Sequence, residues 1–148
     1  MNEIQDSPLI QAYIANNAFG RLLGMDFQIT APGKVSYAIG ISAQHLATPL
    51  SAHGGVIATL MDGALGIAAL SAVCLDGKIV STLEMGLKFL APAKPGDQLI
   101  AHGELISKGN RILVAEAKVY NQEGKLISTG SGTFNAYPME KAGYFPRI

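Results

Sequence analysis

Two hydrophobic periods divide this chain. Val35, Tyr37, Ile39 and Ile41 alternate with Lys34, Ser36, Ala38 and Gly40, the two-residue period of a strand with one buried face. The same period returns after Lys78, where Ser81, Leu83, Met85, Leu87 and Phe89 alternate with Thr82, Glu84, Gly86 and Lys88. It persists through "QLIAHGELISK", "RILVAEAKVYN" and "KLISTGSGTFNAY", which are separated by the turn signals Gly109-Asn110 and Gln122-Glu123-Gly124. Between the two strand regions lies "SAHGGVIATLMDGALGIAALSAV", Ser51 to Val73, which is apolar on nearly every face. This reads as one long buried helix, ended by Asp76-Gly77.

Ahead of the strands, Leu9, Ile10, Tyr13 and Ile14 recur at helical spacing after Pro8, predicting a short amphipathic helix that stops near Gly20 or Gly24. "MDFQIT" supplies a first strand before the turn Ala31-Pro32-Gly33. The order is thus helix, two strands, long helix, four strands. That is an α+β arrangement in which a mainly antiparallel sheet curls around one very apolar helix. No repeat or linker divides the chain, so a single domain over residues 1–148 is expected, with 1–21 as an N-terminal helical segment and 138–148 as a loosely held tail.

Composition sharpens the picture in three ways. Hydrophobic residues make up 49% of the 148 positions and charged ones only 15%, more apolar surface than one subunit readily hides, so a homodimer is expected. Eleven basic residues balance eleven acidic ones, which leaves no electrostatic footprint for nucleic acid or an anionic membrane. A lone cysteine, Cys74, excludes an internal disulfide and a zinc-finger spacing, and its place in an apolar run reads as a small buried hydrophobe. Gly54 to Leu75 is long enough to span a bilayer. Against that stand Asp62, four glycines and the absence of a flanking Lys/Arg cluster, so a core helix is the reading. The first residues, "MNEIQDSPLIQ", lack the basic start of a signal peptide, and a cytoplasmic location is expected.

Asp62 is the anomaly. A carboxylate in an apolar helix costs several kcal/mol unless it is paired, hydrogen-bonded or neutralised, and the same segment opens on His53-Gly54-Gly55. The element order and four stretches resemble the hotdog-fold thioesterases, in particular their phenylacetate-degradation-type branch. The stretches are "LLGMDF", "HGGVIATLMDGALGIA" with its acid nine residues after the histidine, "STLEMGLKFLAPAKPGD" and "GKLISTGSGTF". Together they run from about Leu22 to Tyr137. The resemblance implies hydrolysis of acyl-CoA-type thioesters by a homodimer, possible as a dimer of dimers, with neither metal nor organic cofactor. It implies that Asp62 is the catalytic carboxylate (general base or nucleophile) and that the Gly54 amide polarises the thioester carbonyl. His53 would support the loop, and Thr82 would help place the water.

The residues support the same division of labour. Gly54 and Asp62 are eight positions apart, about 12 Å of rise and about 80° of rotation if helical. One carbonyl therefore cannot reach both groups on one helix. If they cooperate, each comes from a different subunit, with two helices meeting about a twofold axis. A helix N-terminus offers free N–H groups to an oxyanion, and Gly54 and Gly55 let a ligand approach the backbone. Each residue also has a structural reading: tight helix packing for the glycines, a backbone-satisfied turn for His53, a paired buried acid for Asp62 and β-propensity for Thr82.

Where the branch usually carries Asn or Gln, six residues before His53, this chain has Ala47, and three residues before His53 it has Leu50. Either Thr48, His45 or a water takes over the missing polar contact, or activity is reduced, or the ligand differs. For the phosphates of coenzyme A the basic candidates are Lys88, Lys108 and Arg111, with Lys94 and Lys125 behind them. Two other functions compete with hydrolysis: a non-catalytic acyl-ligand-binding domain, motivated by Ala47, and an enoyl-CoA hydratase or dehydratase using His53 and Asp62.

Overall fold

The computed structural model describes residues 2–143. The N-terminal helical pattern resolves into two short helices, α1 (Pro8–Asn16) and α2 (Ala18–Leu23). A single helix through Gly20 was the expectation. Asn17 breaks it because its backbone leaves the helical region, and its side chain accepts from the Gly20 N–H at 3.1 Å to start the second helix. α2 ends at Gly24, in the left-handed conformation. β1 (Asp26–Ala31) and β2 (Lys34–Gly40) follow as a hairpin. The irregular run beyond them contains a 3₁₀ turn (Ala43–His45) and a two-stranded ribbon, β3 (Leu46–Thr48) with β4 (Ser51–Ala52).

The central helix α3 spans Gly54–Ser71. It stops five residues before Asp76, where helical bonding gives way to a 3₁₀ turn (Cys74–Asp76) closed by left-handed Gly77. β5 (Lys78–Phe89), β6 (Gln98–Lys108), β7 (Ile112–Tyr120) and β8 (Leu126–Pro138) complete an antiparallel six-stranded sheet in the order β1-β2-β6-β7-β8-β5. Met139–Ala142 form a last 3₁₀ turn, tied to the body by Met139 N–H donating to the Gly77 carbonyl at 3.1 Å. Of the tail, residues 144–148 lie outside the described residues.

The sheet curls around α3, as the all-round apolar pattern required. Val56, Ile57, Leu60, Met61, Ala64, Leu65 and the run from Ile67 to Ser71 are buried. They meet inward residues of every strand in the sheet, such as Ile29, Val35, Tyr37, Leu99, Leu113, Val119 and Phe134. Gly103 on β6 lets the helix backbone press close, since a Cβ there would sit 2.6 Å from the Ala64 carbonyl oxygen. The helix meets the length and composition of a membrane span, but most of it is spent on this core. Cys74 is buried, with Ser7 Oγ 3.7 Å from its sulfur, and burial pushes its thiol above the ordinary range.

The two sheet edges differ. Along β1, Gln5 accepts from the Ile29 N–H at 2.8 Å and Asn2 donates to the Ile29 carbonyl, so the N-terminal segment occupies that edge. Twelve-residue β5 has no outer partner among the described residues, and it exposes Leu83 and Phe89 by more than half. On the helix beside it, Gly55, Ala58, Thr59, Asp62, Gly63 and Gly66 form a stripe of small and polar residues that the sheet covers only in part.

Candidate active site

His53 is the N-cap of α3. Its extended backbone turns the chain into the helix, and its Nδ1 accepts from the Gly55 N–H at 2.8 Å. The His53 N–H donates to the His45 carbonyl, also at 2.8 Å. The cap satisfies the second amide of the helix and not the first: among the described residues no acceptor meets the Gly54 N–H. A free, forward-pointing amide at the positive end of an 18-residue helix is a donor in search of a partially negative oxygen.

Two turns on, Asp62 is partly exposed, and Thr82 Oγ1 donates to its Oδ1 at 3.1 Å. Strict alternation along β5 would put Thr82 on the same face as Glu84, Gly86 and Lys88, away from the helix. A β-bulge at Leu83 prevents this. Thr82 pairs with Phe134 and Glu84 with Thr133, so Leu83 is an extra residue. Thr82 therefore shares a face with buried Phe134 and turns toward α3, and beyond the bulge Met85 and Leu87 keep that face. The bulge thus aims the hydroxyl at the carboxylate.

Asp62 and Gly54 open into separate pockets of one protomer. Asp62 and Thr82 lie in a cavity of about 200 Å³ whose walls include Gly66, Ile67, Leu70, Ile79 and Phe134. Gly54 lies in a shallower one of about 370 Å³ with Ile57, Phe89, Leu90 and Pro92. The two share no residue. Both lie on the seam between α3 and β5, which run in opposite directions there: Gly54 faces Phe89, and Asp62 faces Thr82.

The remaining sequence candidates are scattered. Gly55 is exposed beside His53, and its amide is consumed by the cap. Thr48 is exposed at the ribbon turn, where its hydroxyl meets Ser51 Oγ at 2.8 Å and accepts from the Leu50 N–H. His45 is buried. Its Nδ1 accepts from the Ser42 N–H at 3.0 Å and its Nε2 faces the Leu23 carbonyl at 2.8 Å. Of the expected stand-ins for the polar residue missing at Ala47, both side chains are therefore engaged locally, which leaves a water, reduced activity or a different ligand as the alternatives. Lys88 lies on the sheet face opposite the helix, beside Glu116, Thr129 and Ser131. Lys108 donates to the Ala72 carbonyl at 2.9 Å and lies 3.9 Å from Asp76, at the C-terminal end of α3, and Arg111 is exposed in the adjoining turn. None of these three lines either seam pocket. No group of three or more metal-ligating side chains occurs among the described residues.

One wall was not legible in the sequence. Tyr13, from α1, lines the Asp62 cavity. Helical spacing puts it on the inward face of its helix with Leu9 and Ile10, but spacing does not say which surface that face meets. Burial, then the neighbouring Tyr37 and more weakly Asp62, hold its phenol well above the ordinary range. Tyr37 can reach this place because position 63 is glycine: a Cβ there would lie 2.9 Å from its ring.

Relatives carry the same architecture. A family model described as thioesterase superfamily matches residues 51–128, which hold both pockets' helix and most of the sheet. Human acyl-coenzyme A thioesterase 13 is 27% identical over 128 residues, covering 84% of this chain and 89% of that protein. The structure of PaaI from the phenylacetic acid degradation operon of E. coli superposes with a TM-score of 0.79 at 26% identity, over 86% of this chain and 89% of that one. A Streptococcus mutans protein solved bound to acetyl-CoA aligns at 25% identity and a TM-score of 0.71, over 78% and 90% of the two chains. A helix that ends its N-terminal cap on a free amide and carries one acid two turns later, inside a curled sheet, is thus found in a chain that belongs to the thioesterase superfamily: a thioester hydrolase on the hotdog fold.

Proposed function

We propose that the protein hydrolyses acyl-CoA thioesters in sites shared between two copies of the chain. Asp62 of one copy acts as general base or nucleophile, and the Gly54 amide of the other polarises the carbonyl. The observation that carries this reading is the antiparallel α3–β5 seam, with the acid at one end and the free amide at the other. A twofold axis through the middle of the seam, near Ala58 and Met85, brings the Asp62 end of each copy onto the Gly54 end of its mate. That arrangement also covers what one protomer leaves bare: the small-residue stripe of α3 and the open β5 edge with Leu83 and Phe89. The relatives named for acyl-CoA thioesterase activity, and the one solved with acetyl-CoA, support the choice of thioester.

In the general-base form of the reaction, the Asp62 carboxylate takes a proton from water as the oxygen attacks the thioester carbon. The carbonyl oxygen becomes an oxyanion held by the Gly54 N–H, a donor already oriented and therefore free of reorganisation cost. Collapse breaks the C–S bond. The coenzyme A thiolate leaves with the proton that Asp62 collected, and the free acid forms. Thr82 holds one carboxylate oxygen, which fixes the direction of the other. His53 keeps the helix start rigid through its cap. No step calls for a metal or organic cofactor. The bulk of the coenzyme lies outside the cavities, where Lys88, Lys108 and Arg111 are exposed candidates for its phosphates.

Incubation of the protein with a panel of acyl-CoAs, following free thiol, should show turnover that Asp62→Ala abolishes while acyl-CoA binding persists. Binding without thiol release by the unaltered protein would show a binding domain instead, and hydration of an enoyl-CoA would show a hydratase.

A further inference from the structure

The Asp62 cavity extends along α3. Asp62, Gly66 and Leu70 lie on one helical row, and Gly63 and Ile67 flank it, so the walls follow about 12 Å of helix away from the carboxylate. Away from Asp62 and Thr82 the lining is mostly apolar: Ile67, Leu70, Ile79, Val80 and Phe134. Gly66 leaves the channel open, because a Cβ there would meet only the Phe134 ring, at 3.6 Å. Tyr13 is the one wall that comes from outside the helix and the sheet. It is braced rather than loose. Its ring packs on Phe27 at 6.0 Å between centroids, Phe27 packs on Tyr37 at 5.2 Å, and Asn17 donates to the Tyr37 hydroxyl at 3.2 Å.

We infer that Tyr13 is a specificity-determining residue, the roof that limits the acyl group accepted beside Asp62 to a slim chain of moderate length. This rests on the acyl-CoA hydrolysis proposed above and adds the substrate class. Tyr13 bounds one side of this cavity of about 200 Å³, so the size of its ring sets how much chain is accommodated on that side. The roof belongs to a helix that the remainder of the site does not need. Acyl selectivity is therefore separable from the catalytic acid.

The test compares kcat/KM on straight-chain saturated acyl-CoAs from acetyl to dodecanoyl for the unaltered protein, Tyr13→Ala, Tyr13→Phe and Tyr13→Trp, with calorimetric binding of the same ligands. Opening the roof with Tyr13→Ala should raise the long-to-short ratio by about tenfold or more, the scale of one or a few methylenes in an apolar pocket. Tyr13→Phe keeps the ring and should hold the ratio near that of the unaltered protein, whereas Tyr13→Trp should shift it toward shorter chains. Turnover with an unchanged ratio in both Tyr13→Ala and Tyr13→Trp overturns the assignment of Tyr13 and leaves the hydrolysis reading standing. If the unaltered protein cleaves no member of the panel, the hydrolysis reading fails, and the binding data decide on Tyr13: affinities that shift with chain length in the variants support it, and affinities that do not overturn it. Should Tyr13→Ala fail to fold, Tyr13→Trp alone decides by the direction of its shift.

Discussion

At the scale of single residues the account turns on Gly54, whose useful group is a backbone amide that no ordinary substitution removes. Proline removes it. Position 54 is the first residue of α3, where proline's missing N–H costs no helical bond and its fixed φ suits the helix. His53, with φ −64° and ψ 138°, already has the extended backbone that a following proline demands. A Cβ at 54 would rest 3.4 Å from the Phe89 ring, close to ordinary contact. Gly54→Pro should therefore lower kcat by about 10²–10³, the usual cost of one oxyanion donor, with the melting temperature held within a few degrees. A loss of both together would mean that the glycine serves packing. Asp62 and the His-Gly-Gly turn were legible in the sequence because a lone acid in an apolar run is conspicuous. Thr82 was singled out through the resemblance, as a residue that would help place the water, but not its bond to Asp62 or how it gets there: nothing in the alternation from Ser81 to Phe89 marks Leu83 as an extra residue, so period alone points Thr82 the wrong way.

Among the elements, strands and central helix follow from their periods, and the departures have local causes. The N-terminal helix divides at Asn17 because a side-chain acceptor competes with helix continuation. α3 ends at Ser71 although the apolar pattern runs on, because Ser71, buried at the helix end, donates to the Ala68 carbonyl and accepts from the Gly33 N–H. The turn before β6 was readable as Pro95-Gly96-Asp97, and the structure shows why it is tight. Asp97 is nearly enclosed, and its carboxylate accepts from the Lys94 N–H at 2.8 Å and from Gln122 Nε2 at 3.0 Å. The Lys94 N–H chiefly, then Gln122, hold its carboxyl below the usual aspartate value against the opposing effect of burial. A carboxyl with its folded pKa depressed contributes stability that is fully present above the unfolded value and is lost as pH falls through the folded one. Denaturant titrations from neutral pH down through the aspartate range should show a stability loss that Asp97→Asn reduces. Equal acid slopes for both proteins would remove Asp97 from the account.

For the whole molecule, the apolar composition and low charge pointed to a second copy, and the fold locates the surfaces that one would cover: the α3 stripe and the β5 edge, side by side. What the sequence could not supply is which residues face each other across the seam between α3 and β5. The opposed direction of the two is local in origin, since the chain leaves the helix at Ser71 and doubles back into β5 at Lys78 through a 3₁₀ turn. That direction turns two half-equipped pockets into complementary ends. In the proposed dimer a single acid would suffice, since each copy would lend its acid to one site and its amide to the other.

The most direct measurement of this claim mixes two inactive proteins, Asp62→Asn and Gly54→Pro, after dissociating and reassociating them in equal amounts. In a mixed dimer one site combines both defects and the other has neither. With random reassociation, half the dimers are mixed and half of their sites intact, so about a quarter of the activity of the unaltered protein should return. If each protomer instead carried its own complete site, every site in the mixture would hold one defect. The mixture would then be no more active than its components, and the shared-site account would be contradicted.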